Sequence, residues 1–221
     1  TRPQSPRYAE AVLWTAKQLG PASQTPSSQH LVWSVIKAHS EDPDIPAVEE
    51  LLSRLPKLFN NTTWETEQIE AIQSWKTSLD PRTHPLSDLR ATWALGSVLR
   101  STHSDSSSGM LKGIAARLSP EQTSDRIICD VASAFDADHE PKAALPLWLD
   151  LLKWNPRSIF KDRALSALIN AAATKDSAGK TLRLINRLQK ECPDSLHLAP
   201  ALLKKADRQE AGTQRQERRQ T

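Results

Sequence analysis

The sequence predicts an all-α chain, folded as a right-handed solenoid of antiparallel helical hairpins. Three observations lead there. Apolar residues recur at three- and four-residue steps almost throughout, which places them along one side of successive helices. Pro43, Pro81, Pro120, Pro156 and Pro193 stand 38, 39, 36 and 37 residues apart. Four of the five follow a helix-capping residue, namely Asp42, Asp80, Ser119 and Asn155. A capping side chain followed by proline is a helix-start signal, and the proline also ends the element before it. No alternating apolar run and no Asn-Gly turn suggests a strand.

The first hairpin, residues 5–43, pairs a helix over 6–19 (Ala9, Val12, Leu13, Ala16, Leu19) with one over 27–39 (Leu31, Val32, Val35, Ile36). The second, 44–81, pairs 46–59 (Val48, Leu51, Leu52, Leu55, Leu58) with 63–79 (Trp64, Ile69, Ile72, Trp75, Leu79). Pro56 is expected to kink or shorten the former, and Thr62 with Glu65 forms a possible capping box for the latter. The third, 82–120, pairs 86–100 with a short helix over 109–118, across a Ser-rich connector at 101–108 expected to be the most flexible internal point.

The fourth hairpin, 121–156, has the strongest pattern. Ile127, Ile128, Val131, Ala132 and Phe135 form one stripe, and Ala143, Ala144, Leu147, Trp148, Leu151 and Leu152 the next. Asp136-Ala-Asp-His-Glu-Pro separates them, and Asn155-Pro156 closes the second because a residue before proline is pushed out of the helical region. The fifth hairpin, 157–193, pairs 159–173 with 178–191. A lone helix over 195–206 is expected to cap the array, and a polar basic tail over 207–221 has almost no apolar residue with which to pack.

Val131, Ala132 and Phe135, followed by Ala144, Trp148 and Pro156, resemble a tetratricopeptide repeat. Leu151 replaces the family's usual small residue and Ile128 stands where it often has Trp; Leu95-Gly96 followed by Leu99 resembles its first helix again. The resemblance implies hairpins whose first helices line a concave groove. Placed on that frame, Arg90, Trp93, Ser97 and Arg100 face inward, then Arg126, Ser133 and Asp136, then Arg163 and Asn170. An arginine-rich groove of this kind suits an acidic or C-terminal peptide. The Lys/Asn set used by the family's chaperone-binding members is not matched.

Lysine and arginine number 29 against 26 acids, a net charge of +3. Residues 201–221 alone hold six cations (Lys204, Lys205, Arg208, Arg215, Arg218, Arg219) against three acids, so the body is neutral. That argues against a whole-surface polyanion binder. Lys180, Arg183, Arg187 and Lys190 fall in one stripe of the last paired helix, with no acid on it; they read as a solvated face, or as an anion-facing strip for phosphate backbone or an acidic partner.

No catalytic or cofactor pattern emerges. Ser177-Ala-Gly-Lys-Thr181 looks like the end of a phosphate-binding loop, but Thr174 stands where glycine is needed and the preceding residues read as helix. Asp136, Asp138, His139 and Glu140 could serve a cation but fall at a solvated turn. Histidines show no catalytic spacing, and Cys129 and Cys192 are isolated, which leaves the compartment undecided. Most of the seven tryptophans lie on apolar stripes and are expected in cores. Asn60-Asn-Thr-Thr holds overlapping glycosylation sequons, relevant only in a secreted chain. No apolar run is long enough to span a membrane, and none looks like a signal peptide.

The expectation is a non-catalytic scaffold or adaptor without cofactors, binding a protein segment in its groove or by its ends. One alternative is an RNA-binding helical-repeat protein, for which no recurring pair of base-reading residues is found. Another is a helical domain of a larger enzyme or regulator, suggested by the start at Thr1 without methionine.

Overall fold

The structure, a computed structural model, describes residues 7, 11, 14, 26–42, 48–52, 62–101, 106–120, 123–174 and 178–207. The described residues are helical or in turns, with no strand among them. Arg7, Ala11 and Trp14 are helical, but otherwise the expected helix over 6–19 lies outside the described residues, as does the tail beyond 207. The chain divides into two compact units, 1–134 and 135–221.

The first unit contains α1 (Pro26–His39), a helical segment at 48–52, α2 (Thr62–Thr77), α3 (Pro85–Ser101), α4 (Ser106–Gly113) and most of α5 (Asp125–Ala137). α3 packs against both α2 and α4. Val35, Ile36, Leu51, Ile72, Trp75, Trp93, Val98 and Leu111 are among its buried side chains. Trp33 and Trp75 meet edge to face with centroids 6.0 Å apart, a favoured aromatic geometry.

α3 starts cleanly because Pro85 supplies a preset φ, and the Glu41 carboxylate accepts the Ser87 N–H at 2.7 Å, capping it from a distant part of the chain. Gly96 lets α4 approach: a Cβ there would stand 2.9 Å from Leu111 Cγ. The Ser-rich connector is shorter than expected. α3 continues to Ser101 and α4 begins at Ser106, so serines 106–108 are helical, and Ser107 is buried. The short helix expected over 109–118 instead ends at Gly113, with a separate 3₁₀ turn at Ala115–Arg117.

The second unit contains the end of α5, then α6 (Pro141–Trp154), α7 (Lys161–Thr174), α8 (Ala178–Glu191) and α9 (198–207). α7 packs against both α6 and α8. Ala144, Trp148, Leu151, Ala164, Leu165, Ile169, Ile185 and Leu188 form its core. Pro146 lies within α6 but is exposed, so the Lys142 carbonyl that loses its partner there can turn to water. The α5–α6 turn places His139 at φ 59°, the left-handed region, where a β-carbon is strained.

Two buried indoles, Trp93 and Trp148, donate their N–H to a carboxylate of α5. Trp93 Nε1 lies 3.0 Å from Asp130 Oδ2 in the first unit, and Trp148 Nε1 lies 2.8 Å from Asp136 Oδ2 in the second. The polar end of each tryptophan is thereby satisfied while its ring is buried. Trp14 departs from the expectation of core tryptophans, being 66% exposed.

Candidate functional site

The chain builds one loop twice in the second unit, 37 residues apart, at Asn155–Phe160 and Cys192–His197. The sequences are Asn-Pro-Arg-Ser-Ile-Phe and Cys-Pro-Asp-Ser-Leu-His. Three of the hydrogen bonds recur in both. Asn155 N–H donates to Leu151 O at 3.0 Å, and Cys192 N–H to Leu188 O at 2.9 Å. Ser158 N–H donates to Asn155 O at 3.0 Å, and Ser195 N–H to Cys192 O at 3.1 Å. Each serine hydroxyl then accepts the N–H two residues on, from Phe160 at 3.1 Å and from His197 at 3.0 Å. The proline stops one helix, and the serine turn starts the next.

The first unit holds a third, related loop. There Thr83 N–H donates to Asp80 O at 3.1 Å, and Arg82 N–H to Asp80 Oδ1 at 2.9 Å, matching Arg157 N–H to Asn155 Oδ1 at 3.2 Å.

The two loops of the second unit border an open cleft of about 390 Å³ lined by Arg157, Lys161, Asp162, Glu191, Cys192 and Ser195, among others. Part of its charge is paired. Lys161 Nζ lies 3.2 Å from Glu191, whose other oxygen accepts from Arg187 Nε at 2.8 Å. Ser195 Oγ donates to Asp162 Oδ2 at 2.8 Å. The Arg187 hydrogen bond, with Lys161, holds the Glu191 carboxyl below its ordinary range despite some desolvation. Burial, and then the Asp162 charge, pushes the Cys192 thiol up. A thiol kept protonated is a poor nucleophile. Ser195 Oγ is engaged at both ends in holding the loop.

Ile159 and Leu196 follow the two serines and project at 83% and 92% exposure. Apolar periodicity alone places them within or beside helices. The signal available for their exposure was the Pro-x-Ser-(Ile/Leu) recurrence itself.

The residues expected in a groove are distributed differently. Arg90, 1% exposed, is a buried structural residue. Its Nε lies 3.1 Å from Glu49 Oε1, and one terminal nitrogen donates to the carbonyls of Ser40 and Asp42, each at 2.9 Å, and His39 at 3.4 Å. Trp93 is fully buried with its N–H on Asp130. Neither can line an accessible groove, because α3 is enclosed on nearly all sides. Arg100 is half-buried, and Arg126, 3.6 Å from Asp130, keeps its side chain partly exposed. In the second unit Arg163 is exposed, and Asn170 Oδ1 accepts from Lys204 Nζ.

Lys180, Arg183, Arg187 and Lys190 are all exposed on α8. The stripe is not acid-free, since Glu191 pairs with Arg187 at the i,i+4 spacing. Gly179 and Lys180 form the first turn of α8, as expected, with Thr181 buried behind them. Asp138, His139 and Glu140 lie exposed at the α5–α6 turn, and among the described residues no cluster of His, Cys, Asp and Glu could hold a metal ion. No described helix is long and apolar enough to cross a membrane. Compared with known proteins, the chain matches no family model, no curated protein and no solved structure.

Proposed function

We propose that the chain is a non-catalytic protein-interaction scaffold, an α-solenoid of tetratricopeptide-like hairpins that binds a protein partner. The observation that carries this reading is the recurrence of the Pro-x-Ser loop with the same hydrogen bonds 37 residues apart. A loop that recurs at a fixed period is the mark of a tandem repeat, and tandem hairpins stack into extended binding surfaces. Gly96 beside Leu95 supports it, supplying the small first-helix residue that lets neighbouring helices approach. The paired charges of the cleft and its protonated thiol suit contact with a partner better than chemistry. Of the residues expected in the groove, Arg126 and Arg163 remain accessible to an acidic segment.

The test begins with affinity purification from the native source, followed by reconstitution from the purified partner. A one-to-one complex weakened about tenfold or more by Arg126→Glu with Arg163→Glu is the expected result, a loss of roughly 1.4 kcal/mol. Undiminished binding by the double variant would remove the arginines from the interface. Failure to reconstitute any stoichiometric protein complex would remove the scaffold reading.

The exposed stripe of Lys180, Arg183 and Lys190 favours RNA as a second reading. It predicts steep salt-dependent retention on immobilised RNA, lost when those three are changed to glutamate. Salt-independent or absent retention would exclude it.

A further inference from the structure

The twin loops of the second unit carry opposite charges at the same position. The residue after proline is Arg157 in one and Asp194 in the other. Both are exposed, and neither side chain has a hydrogen-bond or ion-pair partner among the described residues. The residue after serine is Ile159 in one and Leu196 in the other, the two prongs that project almost fully into water. The turn itself does not call for an apolar residue there. The related loop of the first unit, at 80–84, has His84 at that place, bonded to Thr83 Oγ1 at 2.9 Å. Two large aliphatic side chains thus stand exposed at matching positions with no role in the turns that present them.

The loops lie side by side. Arg157, Ile159, Asp194 and Ser195 all line the one cleft, and Leu196 is next in the chain. Ser195 Oγ on Asp162 and Lys161 Nζ on Glu191 brace one loop against the other. The four projecting side chains therefore belong to one surface, with a free cation on its first loop and a free anion on its second. A uniformly acidic partner would meet Asp194 as a like charge, and a uniformly basic one would meet Arg157. A second copy of this chain, rotated by half a turn about an axis between the loops, meets neither. Arg157 then stands opposite the partner's Asp194, and Ile159 opposite the partner's Leu196. One operation matches charge to opposite charge and apolar to apolar, which is the condition for an isologous contact.

We propose that the twin loops are a self-association surface joining two copies of this chain across a two-fold axis. Ile159 and Leu196 are buried at the contact, and the Arg157–Asp194 pair forms twice at its rim. This goes beyond the scaffold reading and draws on neither Arg126 nor Arg163, so either can fail alone.

Sedimentation of the full chain over a range of concentrations provides the test. The parent is expected to pass reversibly from one chain mass to two, less readily as salt is raised. Arg157→Asp and Asp194→Arg each put two like-charged pairs into the contact and should each weaken the dimer about tenfold or more. An equimolar mixture of the two variants should recover it, because every like pair of either homodimer becomes an opposite pair in the mixed one. Ile159→Lys should also weaken the dimer about tenfold or more, while Leu149→Lys, at an exposed leucine of α6 outside the cleft, leaves it unchanged. Circular dichroism confirms that each variant is folded.

A parent that stays monomeric up to about 1 mM overturns the proposal. So does a dimer indifferent to both charge reversals, even one that Ile159→Lys weakens, or a mixture of the two variants that remains monomeric. Assembly beyond two chains overturns the two-fold arrangement in favour of a head-to-tail contact. A monomeric parent that still binds a partner through Arg126 and Arg163 would sink this proposal alone, whereas the expected dimer with no other protein partner would sink the scaffold reading alone.

Discussion

Replacing Arg90 by methionine should be the most damaging single change in the first unit. The guanidinium is enclosed and makes four contacts, one to Glu49 and three to backbone carbonyls at the end of α1 and just after it. Glu49 is itself buried, and its Oε2 has no hydrogen-bond partner. Removing one member of a buried pair leaves an uncompensated charge and costs about 3–5 kcal/mol, whereas replacing both by apolar side chains is often close to neutral. Arg90→Met should therefore lose about 3–5 kcal/mol, a large share of the ~5–15 kcal/mol that holds a domain together. Adding Glu49→Leu should recover most of it but not all. The three carbonyls still lack their donor, which leaves a residual cost of about 1–3 kcal/mol.

The pH dependence provides a second reading of the same pair. Burial raises the Glu49 carboxyl above 4.5, opposed by the charge and hydrogen bond of Arg90. The folded chain thus holds this proton to higher pH than the unfolded chain does. Its contribution to stability is full below about 4.5 and is lost as pH rises through the folded value. Arg90→Met removes both opposing influences and moves the folded value further up. The stability difference between variant and parent should then widen as pH rises from the parent's folded value to the variant's higher one, and Glu49→Leu should abolish the widening. Urea unfolding followed by circular dichroism at several pH values measures both effects. A loss under about 1 kcal/mol, or no recovery in the double variant, would refute the assignment of Arg90 as a buried charge held by Glu49.

Three further outcomes follow from local geometry. Gly96→Ala should destabilise by about 1–2 kcal/mol in urea melts despite its better helix propensity, because the new methyl meets the buried Leu111; combining it with Leu111→Ala should cost less than the two changes summed. His139→Gly should stabilise by about 0.5–1 kcal/mol by relieving its positive φ, whereas His139→Ile should destabilise. Cys192 should be alkylated at mildly alkaline pH more slowly than a small-molecule thiol, and Cys129, fully buried, should react only on unfolding; mass spectrometry of timed samples distinguishes the two.

The all-helical class and most helix bounds were legible because apolar periodicity reports which residues are inside. α8 agrees to the residue, and α6 ends at Trp154, just before the expected close at Asn155-Pro156. Periodicity failed where a helix has no outside. On α3, Ser87, Asp88 and Arg90 are polar, yet each is buried against a partner distant in sequence, and Arg90, expected in a groove, is among them. Nothing in a local window shows that Ser40 and Glu49 will stand opposite Ser87 and Arg90. The serines at 106–108 misled for a different reason, since serine has a weak helix preference that packing readily overrides. Glu191, by contrast, stands four residues from Arg187, a spacing that was signal enough for their pairing. Residues 195–206 read as a lone capping helix, and the folded helix presents leucines outward. That could be seen only once Ala201 was known to be the inward position.

The twin loops also bear on how the chain can change length. The backbone turn of each is closed by bonds reaching no more than four residues along the chain, while the Ser195 hydroxyl also reaches Asp162 of the preceding loop's helix. Joining Asn155 directly to Pro193 would excise one whole period and still leave Leu151, a proline, a serine and the following helix in their customary relation. The chain carries its own splice points, and addition or loss of a hairpin at them demands no new corner.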